Sequence, residues 1–377
     1  MFSANAPFSV LLTILLAQHV ILVQSVQYGL IKEYSGSTFF DEWDYFDAPD
    51  APTSGDVIFV SEAVGKSSML TYVDPQSNRA IMRVDNTSVV PFNEKRNAVR
   101  ITTKESYAVG SVWIADMYHV PFGCSVWPSW WSFSTSTVWP TGGEIDVFEG
   151  INLSPTSQMG LHTNPGCSQV APKQTSTLIN STDCAGAENQ GCITTNSDTT
   201  SYGPAFAAAG GGVFVTEYAE SGISNWFFSR PNVPSGLLTS TTVDTSQLGM
   251  PMGNWPAGGC DVNQFFLPQS LVFTITLCGV FAGNPQFFNQ TCQGVCYLDY
   301  VVGNGSSYGN AYFEVGSVRV FNTNSTGQIS SSASGSSSGS SPSSTSSKSN
   351  ATFANTVPRI GRSFILALVL ALAEFLI

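Results

Sequence analysis

The stretch Gly142 to Gly150, GGEIDVFEG, packs three carboxylates, Glu144, Asp146 and Glu149, into six positions of a chain in which only 11% of residues are charged. Ile145, Val147 and Phe148 stand between them, residues that favour strands and burial. On a regular strand alternate side chains share a face, so Glu144 and Asp146 point one way and Glu149, five positions on, the other. One extra residue inserted as a β-bulge corrects the parity, and we expect that bulge at Val147 and Phe148. The two glutamates then stand four strand steps apart, ~13 Å between Cα atoms at ~3.3 Å per residue. Side chains leaning inward from a curved strand shorten that span. Carboxyl groups ~5 to 5.5 Å apart are the arrangement of a retaining glycosidase, one acting as nucleophile and the other as general acid and then base. Asp146 can share a proton or hydrogen bond with Glu144, and the packed negative charge raises the pKa of one group enough to keep Glu149 protonated. The plainer alternative is an exposed strand with three solvated acids. Against it, like charges on one face repel, and Ile145 and Val147 promise burial on the other. A calcium site is a further alternative, but the EF-hand spacing is absent and a flat strand wraps poorly round an ion.

Outward from this strand the folded part shows little helical periodicity and many short runs of the same kind. AVRITTKE (98–105), GSVWIADMYHV (110–120), GVFVTEYAE (212–220), ISNWFFS (223–229), LVFTITLCGVF (271–281) and AYFEVGSVRVF (311–321) are rich in β-branched and aromatic residues. Gly, Pro, Asn and Ser separate them. With 34 Gly, 20 Pro and no sustained 3.6-residue stripe, the expected fold is an all-β antiparallel sandwich of about 300 residues rather than α/β.

Both ends differ from this middle. The first 25 residues hold no Lys, Arg, Asp or Glu, and the apolar run Val10 to Val23 before VQS is expected to be a signal peptide, although a basic leading segment is missing. From Asn322 to Asn350 the chain is almost wholly Ser, Gly, Thr and Asn, and we expect residues 323–350 to be a disordered, O-glycosylated stalk. Residues 351–377 end in SFILALVLALAEFLI, shorter than a bilayer-spanning helix and interrupted by Glu374. Small residues at NAT, a polar spacer and an apolar tail suit a glycosylphosphatidylinositol signal, with Asn350 as attachment site. The folded domain is thus placed at 26–322. Eight cysteines without a CxxC pair suit disulfides of open pairing, and seven N-x-S/T sequons suit an extracellular glycoprotein. The net charge of −12 with 14 Lys plus Arg argues against a nucleic-acid partner and allows a neutral substrate. No cofactor or metal is implied by the chemistry, and a monomer is expected.

WPTGGEIDVFEGIN (139–152) resembles the signature of glycoside hydrolase family 16, in the E-x-D-x-x-E form of laminarinase-type endo-β-1,3(4)-glucanases. GSTFFDEWDYF (36–46), VRITTKESY (99–107), PFGCSVWPSWWSF (121–133), GLHT (160–163), NWPAGGCDVNQFFLPQSLVFTITLCG (254–279) and AYFEVGSVRVF resemble landmarks of that group in the same order. The resemblance implies a β-jelly-roll of two curved antiparallel sheets with a concave substrate cleft, and retaining hydrolysis of a β-glucan. It implies Glu144 as nucleophile, Asp146 as assisting acid and Glu149 as acid/base, with His162 beside the acid/base. A lone histidine is also commonly just a satisfied sheet residue. Trp127, Trp131 and Trp139 match cleft positions, where an aromatic ring packs on the C–H face of a sugar, and Trp255 is expected at a neighbouring subsite. Trp130, facing the other way from Trp131, is expected in the core, as are Trp43, Trp113 and Trp226.

Three functions are consistent with these residues. The first is a cell-surface endo-β-glucanase acting on β-1,3 glucan, with 1,4 or 1,6 features open, tethered to the membrane through a lipid anchor. The second is a glucan transglycosylase, although anchored transferases of this family resemble the shorter E-x-D-x-E form. The third is a glucan-binding lectin, which would need no nucleophile.

Overall fold

Alternation along the strands assembles two large sheets whose inner faces pack on each other. The computed structural model describes residues 26–323 apart from 187–189. The first sheet has eight antiparallel strands in the spatial order Thr177–Leu178, Cys192–Thr195, Gln158–His162, Glu144–Glu149, Val126–Phe133, Ser270–Leu277, Arg100–Thr103, Trp43–Tyr45. The second, nine-stranded sheet runs from Thr242–Val243 through Tyr28–Ser35, Tyr312–Asn322, Ser111–His119, Gly212–Ala219 and Gly222–Ser229 to Gly253–Pro256. The hairpin Thr71–Asp74/Arg79–Arg83 attaches to it at Tyr312–Val315. This is the expected all-β jelly-roll sandwich. One departure is a small third sheet in which Val57–Phe59 pairs in parallel with Arg96–Ala98.

The layer between the sheets is aromatic. Trp130 stacks on Phe273 with ring centroids 4.4 Å apart, Phe273 meets Phe313 of the opposite sheet at 5.1 Å, and Phe148 meets Phe214 at 5.2 Å. Each such ring taken from water contributes about 1.5–3 kcal/mol. Trp43, Trp113 and Trp130 are buried in this layer as expected, and Trp226 is buried in a smaller cluster on the outer face of the nine-stranded sheet.

Trp255 requires a correction. The expectation of a sugar subsite fails because Trp255 pairs with Ile223 across the edge of the nine-stranded sheet and turns inward, at 0% exposure, into the inter-sheet core. The run LVFTITLCGVF also behaves differently from expectation. Its strand ends at Leu277, Cys278 takes a left-handed backbone (φ 56°), and Gly279–Ala282 is helical.

Four disulfides resolve the open pairing as Cys124–Cys292, Cys167–Cys260, Cys184–Cys192 and Cys278–Cys296. Two of them staple the segment after Cys278, where Phe281 meets Trp127 edge-on at 5.4 Å and Phe287 meets Phe281 at 5.0 Å. Among the sequons, Asn152 is fully buried, accepting from the Ser125 amide and donating to the Ala282 carbonyl. It is a structural asparagine. The signal peptide at 1–25, the stalk beyond Thr323 and the anchor segment with Asn350 lie outside the described residues. No helix among the described residues is long and apolar enough to cross a membrane.

Candidate active site

The acidic strand Glu144–Glu149 carries the bulge expected of it. Against the tryptophan strand Val126–Phe133 its register is Phe133↔Glu144, Trp131↔Asp146, Trp130↔Phe148 and Ser129↔Glu149, which leaves Val147 as the extra residue. On the other flank Glu144, Asp146 and Glu149 pair with His162, Gly160 and Gln158, three steps after Asp146 against two. Directly paired residues share a face. Trp127, Ser129, Trp131 and Phe133 alternate with the buried Val126, Pro128, Trp130 and Ser132, so all three acids emerge on the exposed face of the eight-stranded sheet. Ile145, Val147 and Phe148 are buried in the core behind them.

Local chemistry explains how the strand starts where it does. Gly142 and Gly143 both have positive φ, 86° and 74°, and a Cβ at Gly143 would stand 2.2 Å from the Phe266 ring. Only glycine fits there. The buried Gln269 amide donates to the Gly142 carbonyl at 2.8 Å and accepts from Ser132 Oγ at 2.9 Å, tying the turn to the tryptophan strand.

Each carboxylate has fixed partners. Trp139 Nε1 donates to Glu144 Oε2 at 2.6 Å, and Trp139 itself is 47% exposed and joined to Pro140 by a cis peptide bond. Trp127 Nε1 and Gln158 Nε2 donate to the two oxygens of Glu149 at 2.7 and 2.5 Å. His162 Nε2 lies 3.2 Å from Asp146 Oδ2. The histidine expected beside Glu149 therefore contacts Asp146, because its strand register sets it opposite Glu144. Trp131 lies on the same face as the three acids, opposite Asp146, and donates to Thr274 Oγ1 at 3.0 Å.

Burial, and next the Asp146 carboxylate, push the pKa values of both Glu144 and Glu149 upward. His162 and the indole donors pull in the opposite direction without reversing it. Two glutamates raised in this way keep a proton to give at neutral pH. Polar atoms of Glu144, Asp146 and His162 also lie within 4.8 Å of one another, a grouping able to hold a cation. The Trp139 N–H already occupies one lone pair of Glu144 Oε2.

Sequence reasoning passed over three contributors. Gln158 is one, legible by counting back in twos from His162. Arg100 is another, on the cleft side with its Cζ 5.0 Å from the Trp131 ring centre and within reach of Glu144; burial lowers its pKa and the Glu144 carboxylate opposes that. The alternation Arg100, Thr102 against Ile101, Thr103 was the available signal. Phe281 is the third, and no local pattern marks it, since its place against Trp127 depends on the two disulfides.

A model of XgeA-like catalytic GH16 domains matches residues 43–321. The chain is 34% identical over 299 residues to a probable glycosidase of Schizosaccharomyces pombe, covering 78% of this chain and 69% of that one. It is 34% identical over 309 residues to a probable endo-1,3(4)-beta-glucanase of Neosartorya fischeri, covering 79% of this chain but 46% of that one. This chain thus spans about half the length of several curated relatives it matches. Among solved structures it is similar to the GH16 laminarinase 16A from Phanerochaete chrysosporium holding 6-O-glucosyl-laminaritriose in donor and acceptor sites, with 35% identity, a TM-score of 0.74, and coverage of 78% of this chain and all of that one. It is also similar to an elongating GH family 16 beta-1,3-glucosyltransferase, with 32% identity, a TM-score of 0.72 and the same coverage.

Proposed function

The chain belongs to glycoside hydrolase family 16, and from that premise we propose that it is a retaining endo-β-glucanase cleaving β-1,3-linked glucan, with β-1,4 or β-1,6 features tolerated. The observation that carries this reading is the bulge at Val147, which sets Glu144 and Glu149 on one face with Asp146 between them. Glu144 attacks the anomeric carbon while Glu149, kept protonated by its surroundings, gives its proton to the departing glycosidic oxygen. A glycosyl-enzyme ester forms. Glu149, now a carboxylate, takes a proton from water, whose oxygen displaces Glu144 with a second inversion. Asp146, contacted by His162, orients Glu144 and disfavours simultaneous charge on all three acids. Trp127, Trp131 and Trp139 offer faces for successive sugar rings.

Following a laminari-oligosaccharide by proton NMR tests this: the first product signal should be the β-anomer. Initial release of the α-anomer would refute double displacement.

Transfer to a sugar acceptor is a second reading, favoured by the similarity to the glucosyltransferase. The same ester serves both outcomes, and water or a sugar hydroxyl decides between them. Products longer than the starting chain at high oligosaccharide concentration would establish transfer. The protein is further proposed to be an extracellular monomer, carried on a Ser-rich stalk and lipid-anchored at Asn350; composition and the terminal segments support this. Release from cells by phosphatidylinositol-specific phospholipase C tests the anchor.

A further inference from the structure

The far side of the sandwich carries a second polar and aromatic concavity. Phe313 and Val315 face the inter-sheet core, as do Ala80 and Met82 of the neighbouring strand. Their alternates Tyr312, Glu314, Ile81 and Arg83 therefore point outward, away from the three acids. Tyr72 and Asp74 of the next strand complete a cavity of about 220 Å³. Charge inside it balances. Glu314 is engaged by Arg79 at 2.8 Å, and Asp74, whose oxygens accept from the Gln76 amide and Ser77 Oγ, sets one anion against the remaining cation, Arg83. Arg83 Nε is buried with no hydrogen-bond partner, and the guanidinium makes no ion pair among the described residues. The Nε itself is out of reach, but the outer nitrogens of a guanidinium that lines the cavity without a hydrogen bond or ion pair among the described residues are donors for an acceptor from outside the chain. Tyr72 and Tyr312 line it, the Tyr312 ring with one face stacked on His119 at 3.8 Å.

We propose that this concavity binds one ring of a neutral glycan, with a tyrosine ring against the C–H face, Arg83 donating to hydroxyl oxygens and Asp74 and Glu314 accepting from hydroxyls. Charge neutrality disfavours an anion or a cation, and two phenol rings suit a pyranose better than a free polyol. That the glycan is the same β-glucan offered to the cleft rests on the proposed function. The site then holds a polymer on the face opposite the acids.

Calorimetric titration of Glu144→Gln protein with neutral oligosaccharides of β-1,3-gluco, cello and manno type tests it. We expect two binding sites per chain for at least one of them. Arg83→Ala and, separately, Tyr72→Ala should weaken the second site at least tenfold, while Tyr72→Phe should retain it. A single site that both alanine variants leave undiminished, or two undiminished sites in both of them, overturns the proposal. A single site that Arg83→Ala weakens, with none of the three glycans binding at the acids, counts against the glucanase reading while this site stands.

Discussion

Glu149 is held by Trp127 and Gln158, Glu144 by Trp139, and Asp146 touches His162. Division of labour follows from these contacts, and replacing either glutamate by glutamine should lower kcat by 10² to 10⁴ or more, the range for losing a positioned acid, base or nucleophile. Initial rates on a soluble glucan check this, and a Glu149→Gln enzyme with full kcat would remove that residue from the mechanism. The raised pKa values of the two glutamates also bear on stability. A carboxyl whose folded pKa lies above its unfolded value binds more protons when folded, so stability falls as pH rises from about 4.3 toward the raised values. Glutamine abolishes that loss. Urea midpoints of Glu144→Gln and Glu149→Gln should therefore exceed that of the native protein at pH 7.5 and match it at pH 4; equal midpoints at both values would contradict the pKa direction. The identities of the three acids were legible in six consecutive letters. Gln158 and Arg100 were legible only to someone who already knew which face was which.

At the scale of the strand, the parity of Glu144 and Glu149 demanded an extra residue, and the register places it at Val147. Deleting Val147 should leave E-I-D-F-E, a regular alternation that still sets all three acids on the cleft face. We expect this variant to hydrolyse glucan faster than Glu149→Gln while losing about 2–4 kcal/mol from the missing core side chain. Activity no higher than that of Glu149→Gln would mean that the bulge fixes more than the face. Trp255 shows the opposite case. Its sequence neighbourhood, NWP, looks the same whether the ring faces a sugar or the core. Only the pairing of Trp255 with Ile223 decides that it turns inward.

At the scale of the molecule, the disulfides divide by what they close. Cys124–Cys292 links residues 168 apart and Cys184–Cys192 residues 8 apart. Chain-entropy estimates give about 5 and about 2.5 kcal/mol respectively. A Cys124→Ser/Cys292→Ser variant should accordingly unfold at lower denaturant than Cys184→Ser/Cys192→Ser, and it should also loosen the segment that sets Phe281 against Trp127. A rise in KM on long substrates in the first variant alone would report that loosening. Equal denaturation midpoints would show that the long closure contributes no more than the short one.

Alternating β-branched and aromatic runs broken by glycine and proline determined the sandwich, because a period of two can bury only one face. The spacing of Glu144, Asp146 and Glu149 determined that one strand must bulge. What tertiary structure decided is everything set by partners distant along the chain. Cross-strand register chose the neighbours of each acid and placed His162 at Asp146, inter-sheet packing turned Trp255 into the core, and disulfide pairing brought Phe281 to Trp127. Such contacts join residues tens to hundreds of positions apart, and no local pattern of side chains encodes which of the sterically allowed pairings has the lowest free energy.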